Sequence, residues 1–205
     1  MAISVLVFVC LWFVIYEIAV ELSVTKKILL YVPGQIIRFI RGDEIWAKGM
    51  IESFTIFLLL PIIIWLIPFL LTRLAGGKIL LMGYMKKMSV AFIPIMAAGH
   101  IIKSIAKATS RIPYWKYSLS DPIGIQSAQA IQNNTIQLAK LPHWSAITIT
   151  MVVVILMILA IFLTFIIIKK NIQKYFAQVK GVQFFYFIPL LYGGLFMAMI
   201  VVWRF

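Results

Sequence analysis

With 205 residues, 63% of them hydrophobic and only 12% charged, and a mean hydropathy of +1.05, the chain lies far from soluble domains. Those are roughly half apolar and about one quarter charged, so the composition excludes a soluble globular domain. It predicts an all-α fold: a polytopic transmembrane helix bundle of about five spans, one integral membrane domain over residues 1–205 with two interfacial loop segments. The net charge of +13, from 19 Lys and Arg against 6 Asp and Glu, belongs in such a chain to loops facing anionic lipid, which sets nucleic acid aside as a partner. The single cysteine, Cys10, sits in an apolar run and excludes internal disulfides, CxxC zinc sites and any iron–sulfur cluster held by this chain alone.

The first expected span covers residues 2–22. It lacks a basic leading region and a small-residue cleavage site, and it runs into Glu17 and Glu21 with Lys26 and Lys27 beyond, so it is a retained anchor and not a signal peptide. Residues 31–48 open on Pro33-Gly34, a turn signal, and then place Ile36, Ile37, Phe39 and Ile40 around Arg38 and Arg41, the pattern of a short interfacial helix. The second span, 51–74, contains Pro61 and Pro68, and the third, 88–106, contains Pro94; each proline removes a backbone donor and predicts a kink. Between them Gly76, Gly77 and Gly83 interrupt the apolar pattern, as a simple connection or as a re-entrant piece over 75–84.

Residues 109–145 form the second long connection. Pro113, Tyr114, Trp115 and Tyr117 make an aromatic belt, Ser120-Asp121-Pro122 a turn, and 125–138 a weakly amphipathic surface stretch suited to a partner or a cofactor. The fourth and fifth spans are 147–168 and 182–203. Basic residues divide almost evenly between the two sets of connections, so the positive-inside rule leaves the orientation open.

The third span carries the chemistry. His100, Lys103, Ser104, Lys107 and Arg111 are spaced to share one helical face, and ionisable groups at membrane depth face a protein interior, a water-filled cavity or a partner. An imidazole in a span is suited to bind haem b iron as a metal ligand, and His143, the only other histidine, is the one candidate within the chain for the opposite axial position. The two differ in depth by roughly 10 Å at 1.5 Å per residue, so a ligand shared with another chain and a hydrogen-bonded structural histidine are the other readings of His100. Lys103, Lys107 and Arg111 suit lipid headgroups by snorkelling, or haem propionates or a quinone head held with a neighbouring subunit. Glu17, Glu21 and Glu52 stand at span ends, as solvated interfacial carboxylates rather than members of a proton relay, and with no chain of carboxylates across the bilayer centre a self-contained proton pump is disfavoured. The ten methionines are scattered, as core filler rather than copper ligands, and no phosphate loop, HExxH, GxSxG or catalytic triad spacing is present.

The run Phe92–Gly124 pairs an apolar helix ending in Gly99-His100 with basic residues about one turn apart, a Pro113-aromatic break and the Asp121-Pro122 turn closing on Gly124. In these features it resembles the C-terminal membrane region of polyferredoxin-type membrane proteins, the quinol-side relatives that accompany nitrate, nitrous-oxide and cytochrome-oxidase assembly systems. Gly99, His100 and Asp121 are the residues that carry over, while the CxxxCP cluster motifs of that family are absent from this chain. The resemblance therefore implies redox centres in other subunits. It leads to the expectation of a non-catalytic integral subunit of a respiratory or photosynthetic electron-transfer complex in a bacterial cytoplasmic (inner) membrane. Such a subunit would anchor its partners and contribute to a haem b or quinone environment. The alternative expectation is a small transporter or channel component, with Gly76-Gly77 and the broken second span lining a path; matched inverted repeats are absent.

Overall fold

A computed structural model of the chain describes residues 2–21, 23–40, 45–133, 135 and 142–204. The described residues are helices joined by turns, with no strand among them: α1 (Ala2–Glu21), α2 (Ser23–Ile40), α3 (Ile45–Phe54), α4 (Leu60–Leu74), α5 (Leu81–Met88), α6 (Ile93–Arg111), α7 (Trp115–Ser120), α8 (Ile125–Gln132), α9 (His143–Tyr175) and α10 (Phe187–Arg204). Three continuous helical stretches are long and apolar enough to cross a membrane: Trp46–Leu74, Leu81–Tyr114 and His143–Tyr175. Two shorter apolar stretches, Ser4–Glu17 and Val182–Ala198, lie where the first and fifth spans are expected.

Of the three prolines expected within spans, Pro61 and Pro94 leave a local signature, while Pro68 lies buried inside continuous α4. Pro61 has no N–H to give, and the chain meets this with a π-helical segment, Thr55–Leu59, in which the Leu60 N–H reaches back five residues to the Thr55 carbonyl. Pro94 stands at the start of α6, directly after a 3-10 turn, Ser89–Phe92, that links α5 to α6 without a gap. Pro33 behaves otherwise than expected. Pro33-Gly34 is no turn but lies inside α2, which runs from Ser23 to Ile40 and packs between α1 and α3; tertiary contact carries the helix through a residue that local propensity reads as a break. Residues 41–44 of the expected interfacial segment lie outside the described residues and its last residues, 45–48, open α3; 134 and 136–138 of the surface stretch also lie outside them, and most of its described part is α8.

The Gly76-Gly77 pair is a turn and not a re-entrant hairpin. Gly76 takes a φ of +83°, and the connection hands over at Leu81 to α5, which carries Gly83 and Tyr84. Gly77 has no room for a side chain, since a Cβ there would meet the Lys180 carbonyl oxygen and lie 2.8 Å from that of Thr72. The buried Thr72 hydroxyl lies 2.7 Å from the Pro68 carbonyl oxygen and 3.1 Å from that of Gly181, and so ties the α4–α5 turn to the α9–α10 turn.

Polar contacts fix the helix directions. Ser89 donates to Ser4 (2.9 Å, both buried) near the starts of α1 and the α5–α6 helix, and Glu17 meets Lys103 farther along both, so the two run parallel. Asn171 near the end of α9 donates to the Lys87 carbonyl (2.8 Å) near the start of that helix, so α9 runs antiparallel to it. Gly193 lets α10 close onto Ile161 of α9, where a Cβ would stand 3.1 Å from Cγ1 of that isoleucine. The core is aromatic at one end: Trp65 packs edge-on to Phe8 (4.3 Å between centroids) and Phe92 (5.2 Å), and Tyr84 stacks toward Phe185 (5.2 Å).

Candidate functional site

Phe13 and Glu17 are four residues apart on α1, and Lys103 and Lys107 are four apart on α6. In each helix that spacing stacks the two side chains on one face, and the parallel packing brings the two faces together. Lys103 forms an ion pair with Glu17 Oε2, the Lys107 ammonium lies 3.6 Å from Oε1, and Lys103 also sits over the Phe13 ring, 4.8 Å from its centroid. The Lys103 and Glu17 side chains are only 17% and 25% exposed and that of Lys107 is 40% exposed, so among the described side chains this is a partly buried cluster of one carboxylate and two ammonium groups, open on the Lys107 side.

Gly99, one turn below Lys103, makes the approach possible: a Cβ there would lie 2.9 Å from Phe196 of α10 and 3.3 Å from Val14 of α1. Its place in the sequence motif thus has a packing reason. Glu17 is the residue that reading by position misplaced. It was expected as a solvated carboxylate and is the acceptor at the centre of the cluster. The signal available in the sequence was the pair of matching four-residue spacings, Phe13–Glu17 and Lys103–Lys107.

The remaining stripe residues divide. The Ser104 hydroxyl donates to the His100 carbonyl oxygen (2.9 Å) and is satisfied within its own helix, while His100 is half-buried in the middle of α6. Arg111 is exposed in the last turn of α6, where a cation complements the negative helix end. His143 is exposed at the first residue of α9. Counting from the Asn171–Lys87 contact, His143 lies 28 residues back along α9 and His100 only 13 residues on from Lys87. At 1.5 Å per residue the two imidazoles are then separated by about 20 Å along the bundle. The structure does not bring them to one iron. Among the described residues no three His, Cys, Asp or Glu side chains gather in a metal-binding group.

Asp121 is held by several donors outside the spans. Its carboxylate accepts from the Ser127 N–H (2.7 Å), the Ser127 hydroxyl (3.0 Å) and the Gly124 N–H (3.1 Å), capping the start of α8, with Gly124 at φ +78° closing the turn. The Ser127 N–H foremost, then the Ser127 hydroxyl and the Gly124 and Gln126 N–H groups, hold its carboxyl below the usual carboxylate range. The Asp-Pro-Ile-Gly motif is therefore accounted for by local folding. Compared with protein families, with characterised proteins and with solved structures, the chain finds no match in any of the three.

Proposed function

We propose that the chain is an integral membrane subunit of a multi-subunit respiratory or photosynthetic electron-transfer complex, crossing a bacterial cytoplasmic membrane about five times. In this reading α1 and α10 join the three long helices as spans, α1 by its full length and α10 with the preceding turn. The observation that carries the proposal is the intramembrane face of α6, where Glu17 of α1 holds Lys103 and Lys107 beside the half-buried His100. Among the described side chains one carboxylate against two ammonium groups leaves that face net positive, and Arg111 adds to it toward the helix end. A face of this kind suits a haem propionate or a quinone oxygen supplied by a neighbouring subunit, with His100 as the one imidazole at membrane depth available to a shared iron. The resemblance of 92–124 to the cluster-bearing membrane proteins supports the same context. So does the apolar surface: in the candidate spans Trp46–Leu74 and His143–Tyr175 only 28% of the most apolar window is buried within the chain, so most of it faces lipid or partners.

The test is His100→Leu in the assembled complex. Loss of a b-type absorption band, or of quinone-linked turnover with the other subunits still bound, supports the proposal. Full retention of both haem and quinone-linked activity overturns it and leaves His100 a structural residue, for which a defect of only about 0.6 kcal/mol is typical of a transmembrane hydrogen bond.

A further inference from the structure

The end of the bundle opposite the Glu17 cluster carries a second concentration of charge. Around the α4–α5 turn stand Arg73, Lys78, Lys86 and Lys87, all exposed. Around the α9–α10 turn stand Lys169, Lys170, Lys174 and Lys180, exposed as well. Residues 73–87 and 169–181 contain no Asp or Glu. The two turns are fastened together by the Thr72 hydroxyl on the Gly181 carbonyl (3.1 Å) and by Asn171 on the Lys87 carbonyl (2.8 Å), so these like charges are held together by the fold. At their centre the Lys87 ammonium lies 4.1 Å and the Lys174 ammonium 5.1 Å from the centroid of one ring, that of Tyr175. The last-turn carbonyls of α4 and α9 account for a share of Arg73 and Lys174. They do not account for two ammonium groups from different helices converging on one tyrosine with no carboxylate in either turn.

We propose that this end is a binding site for the phosphate of an anionic phospholipid, held between Lys87 and Lys174 on the Tyr175 ring and ringed by the other cations. The lipid surface is favoured over a soluble anion by position. The basic residues ring the ends of membrane-length helices, the level at which headgroups stand, and a tyrosine among lysines is the make-up of a membrane–water interface. The inference rests on the membrane-spanning part of the proposed function and is independent of any electron-transfer role.

The experiment uses the full chain in phosphatidylcholine nanodiscs, doped with phosphatidylglycerol, and counts retained lipids by native mass spectrometry. Phosphatidylglycerol should be retained in preference to phosphatidylcholine, and Lys87→Gln with Lys174→Gln should lower that retention at least about ten-fold, since each interfacial cation is worth about five-fold. Inorganic phosphate should fail to displace the lipid. Equal retention of the two lipids, unchanged retention in a double variant that unfolds at the wild-type midpoint, or displacement by inorganic phosphate would each overturn the proposal. Resistance of the chain to alkaline carbonate extraction checks the spanning reading separately, and release by carbonate would overturn both.

Discussion

Glu17→Gln is the substitution that asks most of the structure. It keeps the volume of the side chain and removes the negative charge of Glu17 that Lys103 and Lys107 share. Were the pair fully exposed, its loss would cost about 0.2–1 kcal/mol; were it fully buried, about 3–5 kcal/mol, because an uncompensated charge would remain. With Lys103 and Glu17 side chains 17% and 25% exposed, the cluster lies between these limits. A cost of about 2 kcal/mol is expected, held down because long lysine stems can carry their charges toward the interface. Unfolding in mild detergent micelles, followed by the helical circular dichroism signal, measures it. Lys103→Met alone should cost less than Glu17→Gln alone, because the carboxylate keeps Lys107, 3.6 Å away, as a partner. In the double variant the two losses should fail to add by at least about 1 kcal/mol, the signature of residues in contact. Strict additivity, or a Glu17→Gln chain as stable as wild type, would refute a partly buried ion cluster between α1 and α6.

Three further outcomes follow from packing and capping. Gly77→Ala should destabilise by about 1–3 kcal/mol, as overpacking does, because its methyl group would press on the backbone oxygens of Thr72 and Lys180, which cannot swing away; an unfolding midpoint equal to wild type would contradict the tight α4–α5 turn. Tyr84→Phe should be neutral or stabilising, since the Tyr84 hydroxyl is buried without a hydrogen-bond partner among the described residues and its removal recovers a desolvation cost of about 1 kcal/mol; a clear loss of stability would reveal a bond to that oxygen. Asp121 is an acid whose folded pKa is depressed, so its hold on α8 is fully present above the ordinary carboxylate value and fades as pH falls through the lowered one. The Ser127 amide resonance should therefore titrate below pH ~3.9 and should lose its acid dependence in Asp121→Asn; a midpoint at or above that value would refute the capping geometry.

Much of the helical architecture is legible in the chain because apolar runs of membrane length have few alternatives: a backbone with no water to bond to must close its hydrogen bonds within a helix. Two of the prolines are legible for the same reason. Pro61 and Pro94 each lack a donor, and the π-helical segment before one and the 3-10 turn before the other are the local answers. Pro33-Gly34 was misleading, because a turn dipeptide is a local preference, and α2 is held by its neighbours α1 and α3.

The candidate site was legible by half. The α6 stripe follows from periodicity, but its acceptor is 86 residues away on α1, and no local pattern says that α1 and α6 are parallel neighbours. Once they are, the four-residue spacings on the two helices answer each other. The same holds for charge. Counting Lys and Arg loop by loop gives a near tie, whereas the fastening of Thr72 to Gly181 and of Asn171 to Lys87 gathers two acid-free turns into one positive end. In the described bundle Glu17 and Asp121 are held elsewhere, one at the centre of the α1–α6 cluster and one at the cap of α8. The two ends therefore differ in kind: near the C-terminal half of α6 cations are answered by a carboxylate from the chain itself, while around Tyr175 they are answered by nothing in either turn. In the proposed lipid site an anionic surface would offset the repulsion that these like charges exert on one another in the folded state.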